Sequence, residues 1–133
     1  MFKYIKFNKV TGEFTIHEFR GGDDKVKVNH FDVDVVSLEA ESEADIDALV
    51  SSQVAEIACE TITQDEFKTM VANSSQLKRI RQVVKGEIAK VYDSADEIAM
   101  SKRADDDSKR VRYEEHVQKS LSVGYALKME IGY

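Results

Sequence analysis

The sequence predicts an α+β fold, with an N-terminal antiparallel β-sheet of three or four strands, a covering helix and a long C-terminal helical hairpin. Apolar and polar residues alternate over much of residues 2–36, which is typical of half-buried strands. The chain has no proline, so nothing forces a helix or strand to break. From residue 74 onward, apolar residues recur at steps of three and four, which places them on one helix face. These residues are Leu77, Ile80, Val84, Ile88, Val91, Ala95 and Ile98.

Charge divides the chain in the same way. Residues 1–74 carry 7 Lys/Arg and 15 Asp/Glu, a net charge of −8, whereas residues 75–133 carry 12 and 10, a net charge of +2. We therefore expect a small acidic α+β head over residues 1–73 and an amphipathic helical hairpin over residues 74–133.

The same charges argue against nucleic acid as a partner, because sequence-independent binding requires neutralisation of phosphates. The one candidate basic patch is better interpreted as a solvated helix face; it consists of Lys78, Arg79, Arg81 and Lys85. A single cysteine, Cys59, excludes an intrachain disulfide framework. No apolar run approaches the roughly 20 residues of a membrane-spanning helix. These features predict a cytoplasmic protein with no membrane partner.

The head begins with two predicted strands. Residues 2–7 and 13–20 have strand patterns, and the turn between them ends in Gly12, so we expect the two to pair as a hairpin. Residues 25–36 predict a third strand. Its apolar phase changes near Asn29 and His30, which indicates a bulge or a break.

A covering helix is expected to start at Ser42, since Ser42 and Asp45 have the spacing of a capping pair. Residues 55–62 fit either a helix or a strand, and we favour a strand. Thr63 and Glu66 form a capping box, which predicts a second short helix.

The long segment begins with Ser74 or Ser75 as N-cap, and it is either one continuous helix or an antiparallel pair. The apolar stripe lapses between Ala99 and Val111, which favours a connection over residues 102–108. Asp106 or Asp107 would then cap the second helix. A short C-terminal strand after Gly124 stays an alternative.

No residues form a convincing reactive site. The three histidines, His17, His30 and His116, lie far apart in sequence and have no chelating spacing. Neither Cys59 nor any carboxylate pair has a neighbouring group that would activate it. We therefore predict a non-enzymatic protein with no cofactor and no metal.

Part of the chain resembles a known class of proteins. Four segments carry the resemblance, namely 91–92, 95–99, 113–117 and 124–128, in which Tyr92 precedes Asp96-Glu97 and Tyr113 lies in the second helix. Residues 88–132 are thereby similar to small proteins encoded among the tail genes of tailed bacteriophages and prophages. The resemblance implies a virion-assembly or structural protein and transfers no functional residues.

Two functions are therefore expected. The first is a phage or prophage protein that acts through protein–protein contacts in tail or virion assembly, in the host cytoplasm or the virion. The alternative is a small acidic inhibitor or regulator of a host enzyme, whose head would mimic the charge of nucleic acid.

The apolar face of the helical segment predicts self-association. It has more apolar positions than one partner helix would cover, because Val83, Tyr92 and Ala99 widen it. We expect a homo-oligomer whose contact residues are Leu77, Val84, Val91, Ile98, Val117 and Leu121.

Overall fold

The computed structural model describes all 133 residues and has an α+β fold, as predicted. The strands are β1 (Phe2–Lys6), β2 (Val10–Thr11), β3 (Ile16–His17), β4 (Val26–His30), β5 (Val35–Ala40) and β6 (Glu60–Ile62). The helices are α1 (Glu43–Ser51), α2 (Gln64–Val71), α3 (Ser75–Ala89), α4 (Ser94–Ser101) and α5 (Ser108–Glu130). No helix combines the length and the apolar character that crossing a membrane requires.

The chain divides into two units. The sheet unit comprises residues 1–77 and 131–133, and the helical unit comprises residues 78–130. Each unit is described by itself below.

The sheet unit is built on a four-stranded antiparallel sheet of order β4-β5-β1-β6. Both of its faces are covered, because Ile46 of α1 belongs to the core cluster on one face and Phe67 of α2 stacks on Tyr4 at 4.5 Å on the other. This double burial explains why β5 has the nearly continuous apolar sequence Val-Val-Ser-Leu.

The predicted hairpin between residues 2–7 and 13–20 is wrong. β1 pairs with β5 and β6, whereas β2 and β3 form a separate two-stranded ribbon. The physical reason is that β1 is apolar on both faces. Ile5 lies in the core cluster while Tyr4 contacts α2 on the opposite face, so β1 is stabilised best as a central strand.

The predicted single strand over residues 25–36 is also wrong, although its phase change marks the right region. The chain reverses after His30, and β4 pairs with β5 so that Val26 lies opposite Ala40. The predicted strand over residues 55–62 is right only for β6. Residues Ala55–Ile57 form a 3₁₀ turn, and Ala58 ends it with a left-handed φ of 49°, which a regular strand does not accommodate.

The helix starts of the sheet unit follow the predicted caps. Ser42 accepts a hydrogen bond from the backbone N–H of Ala44, and Thr63 accepts one from the N–H of Glu66 at 3.2 Å. Ser74, the buried residue before α3, accepts the N–H of Leu77 at 3.4 Å. Each side chain satisfies a donor that the first helical turn would otherwise leave unpaired.

Residues 75–130 form three helices, whereas the sequence was compatible with either one continuous helix or two. The connection before α5 lies where it was predicted, and Asp107 accepts the N–H groups of Lys109 and Arg110. The additional break follows Ala89. There Asp93 and Asp96 form a reciprocal capping box, with hydrogen bonds of 2.8 and 3.1 Å, that starts α4.

The C-terminal strand that the sequence left open is absent, because α5 continues to Glu130. The last three residues belong to the sheet unit. Ser37 donates its hydroxyl to the carbonyl of Ile131 at 2.7 Å, and Tyr4 donates to the carbonyl of Gly132 at 2.7 Å. Gly132 has a φ of +82°, and a Cβ there would lie 2.8 Å from Phe2 Cδ1.

Candidate interaction surface

The six predicted contact residues occupy three different environments. Leu77 is fully buried and belongs to the sheet unit. Three others are partly buried in the helical unit, namely Val84, Val117 and Leu121. Val91 and Ile98 are each 58% exposed. Four of these residues recur every seven positions from Leu77 to Ile98. They do not form a single helix face, because α3 ends at Ala89 and Val91 lies in a connection.

An aromatic and polar cluster holds the three helices of the helical unit together. Tyr92 meets Tyr113 edge-on with ring centroids 4.9 Å apart, and Tyr113 donates its hydroxyl to Glu97 Oε1 at 3.0 Å. His116 Nε2 lies 2.8 Å from the carbonyl oxygen of Glu87. Burial and then the Glu97 carboxylate raise the pKa of the Tyr113 hydroxyl, which therefore stays a donor at neutral pH.

Sequence reasoning missed this cluster as a packing site. Its signal was present in the resemblance, which singled out Tyr92, Tyr113 and the Asp96-Glu97 pair as a pattern. The structure gives these positions an internal role, because they link α4 and α5 to each other and to the end of α3.

Small residues on α5 let α3 approach closely. Ser120 is buried, and its hydroxyl donates a hydrogen bond to the carbonyl of His116 at 2.9 Å. A Cβ on Gly124 would lie only 2.6 Å from Cγ2 of Val84. The closeness of Val84 therefore requires glycine at position 124.

Beside this close approach lies a groove of about 270 Å³ between α3 and α5. Its floor is apolar and consists of Ile80, Val84, Leu121 and Gly124. Its rim carries three cationic side chains and one aromatic, namely Arg81, Lys85, Lys128 and Tyr125. No carboxylate lines the groove, and Lys128 Nζ lies 5.8 Å from the centre of the Tyr125 ring.

The helical unit exposes much of its remaining apolar surface. Six of the eleven exposed large hydrophobic side chains of the chain belong to it, whereas Ile80 alone among its apolar side chains is buried, at 7% exposure. The six are Val91, Ile98, Val111, Val123, Tyr125 and Met129.

The sheet unit has its own exposed apolar feature, the hairpin tip, which comprises residues 12–15 between β2 and β3. Phe14 is 91% exposed, the highest value among the large hydrophobic side chains. The turn is closed by a hydrogen bond from the N–H of Gly12 to the carbonyl of Thr15 at 2.7 Å. The β2–β3 ribbon therefore presents an aromatic ring to solvent on a hydrogen-bonded support.

Reactive side chains are not brought together. No group of three or more His, Cys, Asp or Glu side chains has the geometry to hold a metal ion. Burial raises the pKa of the Cys59 thiol, which disfavours the reactive thiolate at neutral pH. Asp32 and Asp34 instead accept backbone N–H groups from Ser75 and Lys9, at 3.1 and 3.2 Å.

Comparison with known proteins identifies no relative. No protein-family model, curated protein or solved structure matches this chain. The surface described above therefore carries the functional argument.

Proposed function

We propose that this protein acts through protein–protein contacts and assembles with further copies of itself through its helical unit. The observation that carries the proposal is the imbalance within that unit, in which one apolar side chain, Ile80, is buried and six large ones are exposed. Removing apolar surface from water stabilises an association by about 25 cal/mol per Å² before the costs of binding.

The groove is the part of the helical unit best suited to such a contact. It is concave, its floor is apolar, and Tyr125 on its rim is 61% exposed. Tyrosine and arginine, both present in its lining, are enriched among the residues that dominate interface energies. Val84 and Leu121, two of the predicted contact residues, form part of its floor.

The mass of the protein in solution tests this proposal. Light scattering over a range of micromolar concentrations is expected to give a mass above that of one chain, rising with concentration. A monomer mass at every concentration would contradict self-association.

We place this activity in a tailed phage or prophage, as a tail-assembly or virion component in the host cytoplasm or the particle. The resemblance of residues 88–132 to tail-region proteins supports this setting. The genes beside the coding sequence test it most directly, because virion genes are expected there. A neighbourhood made up only of metabolic genes would contradict the setting while leaving self-association intact.

The charge of the sheet unit supports a second function, inhibition of a host enzyme that binds nucleic acid. The unit has 15 acidic and 7 basic side chains, and each of them is at least partly exposed. Its net negative charge therefore lies at the surface. Such a surface favours association with a basic groove, and salt weakens it. Recovery of one host protein from lysate at low salt, and its loss at high salt, is the expected result. Recovery of no partner at low salt would contradict this function.

A further inference from the structure

The size of the groove limits what it holds. At about 270 Å³ it falls below the roughly 300–1,000 Å³ typical of pockets for whole small molecules. An apolar depression of this size suits one large side chain that projects from another protein. Its floor of Ile80, Val84 and Leu121 offers that side chain only apolar contacts.

The rim adds a charge requirement. Lys85 is exposed on the rim beside Arg81 and Lys128, and no carboxylate lines the groove. A partner that places an acidic residue next to its inserted side chain gains attraction from these cations, whereas a basic neighbour is repelled. The groove therefore favours an apolar side chain in an acidic setting.

The hairpin tip of the sheet unit has both properties. Phe14 is 91% exposed, and Glu13 precedes it as the one acidic or basic residue between Val10 and Ile16. The nearby Arg20 guanidinium donates to the carbonyl of Ile16 at 3.0 Å. The ribbon behind it is closed by the Gly12–Thr15 hydrogen bond and by the pairing of Val10 with His17. An aromatic side chain on a hydrogen-bonded turn loses little conformational entropy on binding.

We infer that the groove of one copy receives the hairpin tip of another, with Phe14 on the apolar floor and Glu13 beside the cationic rim. This inference rests on the proposed self-association and specifies its contact. The two surfaces are different, so the interface is heterologous. Repetition of a heterologous contact forms a ring when the rotation closes and a filament when it does not.

Two variants test the contact, one altering the hairpin tip and the other altering the groove. Phe14→Ser removes the ring, and the double variant Lys85→Glu/Tyr125→Glu reverses and blocks the rim. All three positions are exposed, so the fold is expected to persist, which circular dichroism checks. In sedimentation equilibrium each variant is expected to weaken self-association by about tenfold or more, because it removes a central anchor.

Mixing the two variants distinguishes a heterologous contact from a symmetric one. Phe14→Ser keeps an intact groove and the rim variant keeps an intact tip, so an equimolar mixture is expected to form a 1:1 heterodimer. This heterodimer cannot grow, because its remaining tip and groove are both defective.

A charge exchange tests the pairing of Glu13 with the rim. Lys85→Glu alone is expected to weaken association, and Glu13→Lys in the same chain is expected to restore much of it. Lys109→Glu makes the same charge change on α5 outside the groove and is the matched control. Val54→Ser, at a second exposed apolar position of the sheet unit, is the control for Phe14.

Three outcomes would overturn the inference. Unchanged self-association in Phe14→Ser refutes the tip as occupant while the proposed function stands. Failure of the mixed variants to form a heterodimer refutes the heterologous contact. A wild-type protein that sediments as a monomer at all concentrations refutes the proposed function together with this contact.

Discussion

The sheet unit holds fifteen of the sixteen buried apolar side chains of the chain, and the helical unit holds one, Ile80. The sheet unit covers both faces of a four-stranded sheet with its own helices. The helical unit is joined by a tyrosine–histidine cluster and by the close approach of Val84 to Gly124. This difference indicates that the sheet unit is stabilised by its own core, whereas the apolar surface of the helical unit is the part that the proposed self-association would cover.

The largest effect is expected from breaking the core of the sheet unit. Phe67 is fully buried, stacks on Tyr4 and meets Phe31 edge-on at 5.3 Å. Phe67→Ala should lower the free energy of unfolding by about 3–5 kcal/mol, because it leaves a cavity between ring partners. Urea denaturation followed by circular dichroism measures this loss. A loss below about 1 kcal/mol would mean that this side of the sheet is loosely packed.

A charge in the interior of the helical unit should have the next largest effect. Val84 is partly buried against α5, so Val84→Asp is expected to cost about 2–3 kcal/mol through the desolvated carboxylate. Hydrogen exchange should rise in α3 and α5 and stay unchanged in the sheet strands. Val91→Asp is the matched control, because Val91 is 58% exposed and the helices should tolerate the charge there. Equal exchange in both variants would contradict the assigned packing.

Two glycines of the helical unit allow a sharper comparison. A Cβ at Gly124 would meet Val84 Cγ2 at 2.6 Å, whereas a Cβ at Gly86 meets nothing within 4 Å. Gly124→Ala should destabilise by about 1–3 kcal/mol through overpacking. Gly86→Ala, in the last turn of α3, should stabilise by at most about 0.5–1 kcal/mol through helix propensity. Thermal unfolding of both variants measures the difference, and changes of the same sign would place Gly124 away from α3.

The smallest effect is expected at acidic pH, where protonation of Asp107 weakens the cap of α5. The N–H of Lys109 donates to Asp107, holds the pKa of its carboxyl below the ordinary 3.8 and favours the ionised cap. The contribution of this cap is therefore complete above pH 3.8 and is lost as the pH falls through the lower, folded-state pKa. Asp107→Asn keeps a capping side chain that does not titrate. Helicity measured during acid titration should fall less steeply in this variant below pH 3.8, and identical titrations would exclude Asp107 as a contributor.

Local features such as helix caps could be predicted from the sequence better than the pairing of strands that are distant in the chain. Ser42 and Thr63 were identified as caps, and the cap of α5 was narrowed to Asp106 or Asp107, because a cap depends on neighbours a few residues away. The neighbours of β1 could not be predicted, because alternation indicates which face a residue occupies and not which strand lies beside it. The break at Asp93 was missed because Val91, Ala95 and Ile98 keep helical spacing across it.

The candidate site was only partly predictable for the same reason. Of the predicted contact residues, Val84 and Leu121 line the groove, and their role in a contact stays a prediction. Two of the rim cations, Arg81 and Lys85, had been interpreted as part of a solvated helix face, because charge on one helix does not indicate what a second helix places opposite. Phe14 had been assigned to a strand face, and its exposure follows from the separate β2–β3 ribbon, which the pairing of β1 with β5 and β6 produces.

Self-association of the wild-type protein tests the central claim most directly. Sedimentation equilibrium at low and high micromolar concentrations, with hydrogen exchange recorded on the same samples, compares the two units in one experiment. We expect the mass to rise with concentration and protection to increase in α3 and α5, with unchanged protection in β1 and β5. A monomer at every concentration, with α3 and α5 as protected as the sheet, would show that the helical unit is stable alone and would contradict the claim.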